Sequence, residues 1–89
     1  MNNPDSQIIV GRFFEALDKL KADRKIRGIQ TFTRRYDINR WNLLTLSGNY
    51  ESNIFQPCWL TYLVQDYGVS ASWLLLGVGD FYENEKEGD

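Results

Sequence analysis

Apolar residues recur along this chain at helical spacing, in short stretches broken by polar or glycine-marked turns. Ile9, Phe13, Leu17 and Leu20 follow four-four-three spacing, and Val10, Phe14 and Ala16 widen the stripe. The pattern predicts an amphipathic helix running to about Asp23. Asn3, Asp5 or Ser6 can cap its start, and Pro4 suits the first helical position. Arg24 to Gly28 forms a basic connector in which Ile26 turns into the core. Gly28 is placed to cap a second helix, Ile29 to Tyr36, where Phe32 and Tyr36 stand one turn apart. Asn39 then caps a third helix, about Arg40 to Ser47, with Leu43 and Leu46 on one face and Ile38 in the turn. Gly48-Asn49 predicts a left-handed stop.

Tyr50 to Gln56 reads as a polar loop. Pro57 starts a fourth helix that turns Leu60, Leu63, Val64 and Tyr67 inward and ends at Gly68. Val69 is expected to be buried, and Ser70 to cap a fifth helix, Ala71 to Leu76, stopped by Gly77 and Gly79. That helix is apolar almost all round, and Trp73 and Leu74 are assigned to the core. Five helices with short connections and no strand pattern predict an all-α domain over residues 1–82. The acidic stretch 83–89 is expected to be disordered.

Composition narrows the chemistry. The 89 residues include no histidine and one cysteine, Cys58. An internal disulfide and a His/Cys metal cluster are therefore excluded. Cys58 reads as a small core residue. No enzyme, cofactor, metal or small-molecule substrate is expected. No apolar run approaches the roughly 18 residues of a membrane span, so the expected setting is the cytoplasm, without membrane contact. The net charge of −2 hides an asymmetry. Residues 1–50 carry nine basic groups against five acidic ones, while residues 51–89 hold Lys86 against seven acids. A basic half suits a phosphate-bearing partner.

Two stretches carry a family likeness. Phe32 to Gly48, F-T-R-R-Y-D-I-N-R-W-N-L-L-T-L-S-G, has the order of a helix, a tight turn and a capped second helix. Tyr67 to Asp80 contains G-V-S-A-S-W-L-L-L-G-V-G. Together they resemble the lambda-repressor-like (Xre/Cro-type) helix-turn-helix DNA-binding domains, and in particular phage-repressor members, over roughly residues 8–80. Asp37 stands where the family has glycine, and Asp visits the left-handed region more readily than most residues. Thr33 replaces a small residue, and Ser47 stands where the family often has Glu.

The resemblance implies a five-helix domain acting as a sequence-specific regulator, a repressor, that binds double-stranded DNA as a homodimer. It places Arg40, Trp41 and Thr45 at base edges, with Asn42 beside them. Arg suits guanine and Asn suits adenine. Gln30, Arg34, Arg35, Asn49, Tyr50 and Ser52 are the candidates for phosphate contact. Leu76, Val78, Phe81 and Tyr82 are the candidate dimer contact, which would set two reading helices about 34 Å apart. Trp41 and Leu44 also permit a rival reading, an apolar patch for a protein partner on the same scaffold.

Overall fold

The computed structural model describes residues 3–83. They form five helices: α1 (Pro4–Ala22), α2 (Ile29–Arg35), α3 (Arg40–Gly48), α4 (Cys58–Tyr67) and α5 (Ala71–Leu76). Among the described residues the sole extended pairing is one antiparallel bridge, Val69 to Tyr82. The all-α expectation therefore holds, and the helices fall within a residue or two of their expected bounds.

α1 starts as its sequence dictates. The Asn3 side chain accepts from the Asp5 N–H at 2.7 Å, and Pro4 takes the first turn. Val10, Phe13, Ala16, Leu17 and Leu20 are buried, whereas Ile9 and Phe14 are half-buried. The inward line is thus turned from Ile9 towards Val10 and Ala16. Phe13, fully buried, is the hub. Its ring lies 5.1 to 5.8 Å from those of Phe14, Phe32, Phe55 and Trp59, mostly edge-on. Rings in such arrangements add about 0.5–1.5 kcal/mol each beyond the area they bury.

α1 and α2 end in the same way, without glycine. Arg24 (φ 64°) and Asp37 (φ 55°) are left-handed. The next residue's N–H then reaches back five positions, Lys25 to the Leu20 carbonyl at 2.9 Å and Ile38 to the Thr33 carbonyl at 2.8 Å. This is the Schellman closure, which satisfies carbonyls that a helix end leaves bare. Asp37 was expected to accept that backbone. Arg24 has no sequence signal for it.

Several inward positions differ from expectation. Phe55, in the loop read as polar, is buried, as is Trp59 at the start of α4. The two rings meet edge-on at 5.4 Å. Trp59 takes the inward place beside Cys58, so Cys58 is exposed and is not a core residue. α3 runs through Gly48, and Asn49 follows in extended backbone (φ −155°) instead of the expected left-handed stop. Its last turn tightens, the Asn49 N–H bonding the Leu46 carbonyl at 3.0 Å. Ile26, Leu43, Leu46, Leu63, Val69 and Leu74 are buried as read.

α5 is capped at both ends. The Ser70 hydroxyl accepts from the Trp73 N–H. At the far end Arg12 Nη1, from α1, donates to the carbonyls of Leu74 at 3.4 Å and Leu75 at 3.0 Å. The chain then folds back over the α4–α5 corner. Ser70 donates to the Phe81 carbonyl and Glu83 to the Gly68 carbonyl, both at 2.7 Å. Packed chain thus extends to Glu83, the first residue of the stretch assigned to disorder; 84–89 lie outside the described residues.

Candidate nucleic-acid interface

α3 is held from behind and bare in front. Leu43 and Leu46 are fully buried, fixing one face against the core. Asn39 Oδ1 accepts from the N–H groups of Trp41 (2.8 Å) and Asn42 (3.1 Å), fixing the start. Beyond the far end, the Tyr50 ring stacks on Phe14 of α1 at 5.9 Å and 8°. Gly11 makes room for it, since a Cβ there would stand 3.3 Å from the Tyr50 ring. Both ends of α3 are thereby referred to the same core.

At about 100° per residue, the two buried leucines define which side of α3 faces out. Trp41 and Gly48 lie directly opposite them, flanked by Leu44 on one side and Thr45 on the other. Arg40 and Asn42 occupy the two shoulders. Trp41 is 74% exposed and Leu44 37%. Arg40, Asn42 and Thr45 are exposed as well. The four candidate base-reading residues therefore share the outer half of one helix, with Trp41 at its crest.

Leu44 and Asn42 look into different clefts. Leu44 borders one of about 330 Å³, shared with Phe14, Leu17, Lys21, Arg27 and Ile29. Asn42 borders another of about 510 Å³, among Asn39, Asn53, Gln56, Tyr36 and Tyr62. Leu44 thus leans towards α1 and the start of α2 as well as towards solvent.

The candidate phosphate contacts divide. Arg34 is exposed, and among the described residues its side chain has no hydrogen-bond or ion-pair partner. Gln30 is exposed, with its amide oxygen folded back over Gly28. Arg35 is engaged within the fold. Its guanidinium lies 5.4 Å from the ring centres of both Tyr36 and Tyr67 and 3.7 Å from the Asp66 carboxylate. A hydrogen bond with Tyr67, then the charge interaction with Tyr36, raise its pKa further. Tyr36 stacks on Tyr62 at 4.1 Å and donates to Asp66 at 2.5 Å. Burial first, and then that bond, push its phenol well above the usual range. Asn49 Oδ1 accepts from the Glu51 N–H. Tyr50 is half-buried on Phe14, and Ser52 is half-buried.

The free cations are fewer than the sequence count suggests. Arg12 caps α5, Lys19 lies over Phe81 and Lys25 over Tyr82. Lys21, Arg24, Arg27, Arg34 and Arg40 remain exposed, on or near the α1–α2 connector and the α2–α3 unit. Apart from Tyr36 beside Arg35, the caps and ring partners of Arg12, Lys19, Lys25 and Arg35 come from residues 66–82, distant in sequence. Spacing alone therefore gave no sign of them.

The candidate dimer residues divide too. Leu76 and Val78 are 68% and 54% exposed, with Ile8 and Leu75 also bare. Phe81 and Tyr82 are half-buried against the chain itself. Phe81 meets Trp73 edge-on at 4.8 Å, and Tyr82 donates to Asp23 at 2.6 Å. No group of three or more metal-binding side chains occurs among the described residues. Nor is any described helix long and apolar enough to cross a membrane.

Comparison of the chain with protein-family models, curated proteins and solved structures returns no match.

Proposed function

We propose that this protein is a sequence-specific DNA-binding regulator of transcription, a repressor built on a lambda-repressor-like helix-turn-helix, with α2 and α3 as that unit. α3 enters the major groove, and two copies bind together. The observation that carries this reading is α3 itself: a short helix capped by Asn39, buried along Leu43 and Leu46, and bare at Arg40, Trp41, Asn42 and Thr45. A helix presented in this way fits a groove about 12 Å wide. Arg34 and Arg40, exposed and without an ion-pair partner among the described residues, supply the charge that phosphates or guanine edges require. The bare apolar residues Leu75 and Leu76 of α5, with Val78 just past its end, support pairing of two copies through α5. The reading assigns no catalytic role and no cofactor.

Selection of binding sites from random duplex DNA tests it, with Arg40→Ala as the control. A recovered site with two related half-sites, bound less tightly by the variant, is the expected result. Enrichment of no sequence by the native protein would sink the proposal.

The 74% exposure of Trp41 favours a second reading, a protein-binding face on the same scaffold. Loss of a partner with Leu44→Glu, in a protein that still folds and does not bind DNA, would select it.

A further inference from the structure

The crest of α3 is apolar, and that restricts what it can read. Trp41, Leu44 and Thr45 stand at i, i+3 and i+4, so they share one face. Among the described residues the Trp41 indole has no ring, cation or hydrogen-bond partner, and Trp41 is 74% exposed. Its backbone is nevertheless fixed, because its N–H is bound to Asn39 Oδ1 at 2.8 Å. One turn beyond Thr45 and Leu44 the crest ends at Gly48, where an added Cβ would meet nothing within 4 Å. The outermost line of the helix is therefore an exposed ring on a capped backbone, a methyl-bearing threonine and a bare glycine. The polar readers, Arg40 and Asn42, sit on the shoulders.

Base edges in the major groove offer hydrogen-bond donors and acceptors almost everywhere. The exception is the C5 methyl group of thymine. An exposed indole brings a single donor, and Thr45 brings a methyl beside its hydroxyl. A crest of this kind gains most from apolar contact and little from polar edges.

Resting on the duplex-DNA reading, we propose that Trp41 and Thr45 form a thymine-methyl reader, making Trp41 the specificity-determining residue of this helix. Arg40 and Asn42, on either side, contact the flanking bases or the groove walls. The ligand class is thymine-bearing duplex DNA, with one or two adjacent thymines under the crest in each half-site.

The test begins with the site recovered from random DNA. Each thymine is replaced in turn by uracil, which removes only the methyl group. Native protein should bind one or two of these substituted sites about three- to tenfold less tightly, the scale of one buried methyl group with its surrounding contacts. Trp41→Ala should bind thymine and uracil sites alike. Thr45→Ser, which removes only a methyl, should reduce the difference without abolishing binding. Trp41 is too exposed for its loss to unfold the chain, and a circular-dichroism melt of each variant checks this. If every uracil site is bound as tightly as its thymine parent, the inference fails while the DNA reading stands. If Trp41→Ala binds the native site with unchanged affinity, the crest serves another class of partner, a protein, and the inference fails. If no site is enriched at all, both readings fall together.

Discussion

Arg12 reaches the end of α5 through space that Gly77 leaves open. The guanidinium donates to the carbonyls of Leu74 and Leu75, and a Cβ on Gly77 would stand 2.7 Å from Arg12 Nη2. Gly77 is also left-handed, at φ 73°. Two costs therefore meet at one position. Gly77→Ala should strain the backbone and displace the cation, destabilising the fold by about 1–3 kcal/mol. Arg12→Met, which keeps the stem and removes the donors, should cost about 1 kcal/mol. In the double variant the penalties should fall short of their sum, as for residues in contact. Urea denaturation reads all three.

Asp37 carries the left-handed residue of the α2–α3 turn with a side chain that tolerates it only partly. Asp37→Val, β-branched, should destabilise by about 1–2 kcal/mol. Asp37→Gly should be neutral to stabilising, within about 1 kcal/mol, because relief of strain is offset by a freer unfolded chain. Thermal melts of the two variants should move in opposite directions or, for glycine, hardly at all. An equal loss in both would show that the Asp37 side chain itself holds the turn.

Arg34 and Arg35 are neighbours with different duties. Arg34 is exposed, with no ion-pair partner among the described residues, whereas Arg35 lies on Tyr36 and Tyr67 beside Asp66. If α2 faces phosphate, Arg34→Ala should weaken binding to all sequences and flatten the log Kd against log salt slope by about 1. Arg35→Ala should instead lower the melting temperature, through lost stacking of the guanidinium on two rings. Salt titrations of binding, paired with melts, separate the two.

The phenols give the fold an alkaline edge. Tyr36 donates to Asp66 and Tyr82 to Asp23, and both pKa values are raised, by burial first and those bonds second. A raised folded pKa means that the neutral form is favoured in the native state. The stability it contributes is complete below the ordinary tyrosine value of 10.0 and is lost as pH climbs above it. Urea midpoints should hold near neutrality and fall from about pH 10 upward. Tyr36→Phe and Tyr82→Phe should each make that fall shallower. A slope unchanged in both would place the alkaline loss elsewhere.

How much of this was legible beforehand depended on distance along the chain. α1, α3 and the caps Asn39 and Ser70 are local matters of periodicity and hydrogen bonding, and the sequence displayed them; for α1 it left Asn3, Asp5 and Ser6 as alternatives, of which Asn3 is the cap. Phe55 was not legible, because a lone aromatic among Glu51, Ser52, Asn53 and Gln56 has no period. Its i,i+4 partnership with Trp59 was the available signal, masked by Pro57 between them. Cys58 was misplaced for the same reason: once Trp59 turns inward, its neighbour must turn out. The α3 surface was readable as a set of residues. Its order, with Trp41 at the crest and Arg40 and Asn42 on the shoulders, needed to know which side Leu43 and Leu46 bury. Arg12, Lys19, Lys25 and Arg35 counted as free charge until partners far off in sequence, Asp66 and Tyr67 in the case of Arg35, were in place.

The clamp on α3, by Asn39 at its start and by Tyr50 on Phe14 past its end, separates two kinds of change. Residues behind the helix and at its ends are committed to holding it. Trp41, Thr45 and the shoulders touch little within the chain, so replacing them should shift stability by no more than about 0.5 kcal/mol. The outer surface of α3 is thus a replaceable keyboard on a fixed frame. Side chains there can change one at a time at little cost to the fold, whereas a Cβ on Gly11 would require the Tyr50 ring to give by a few tenths of an ångström.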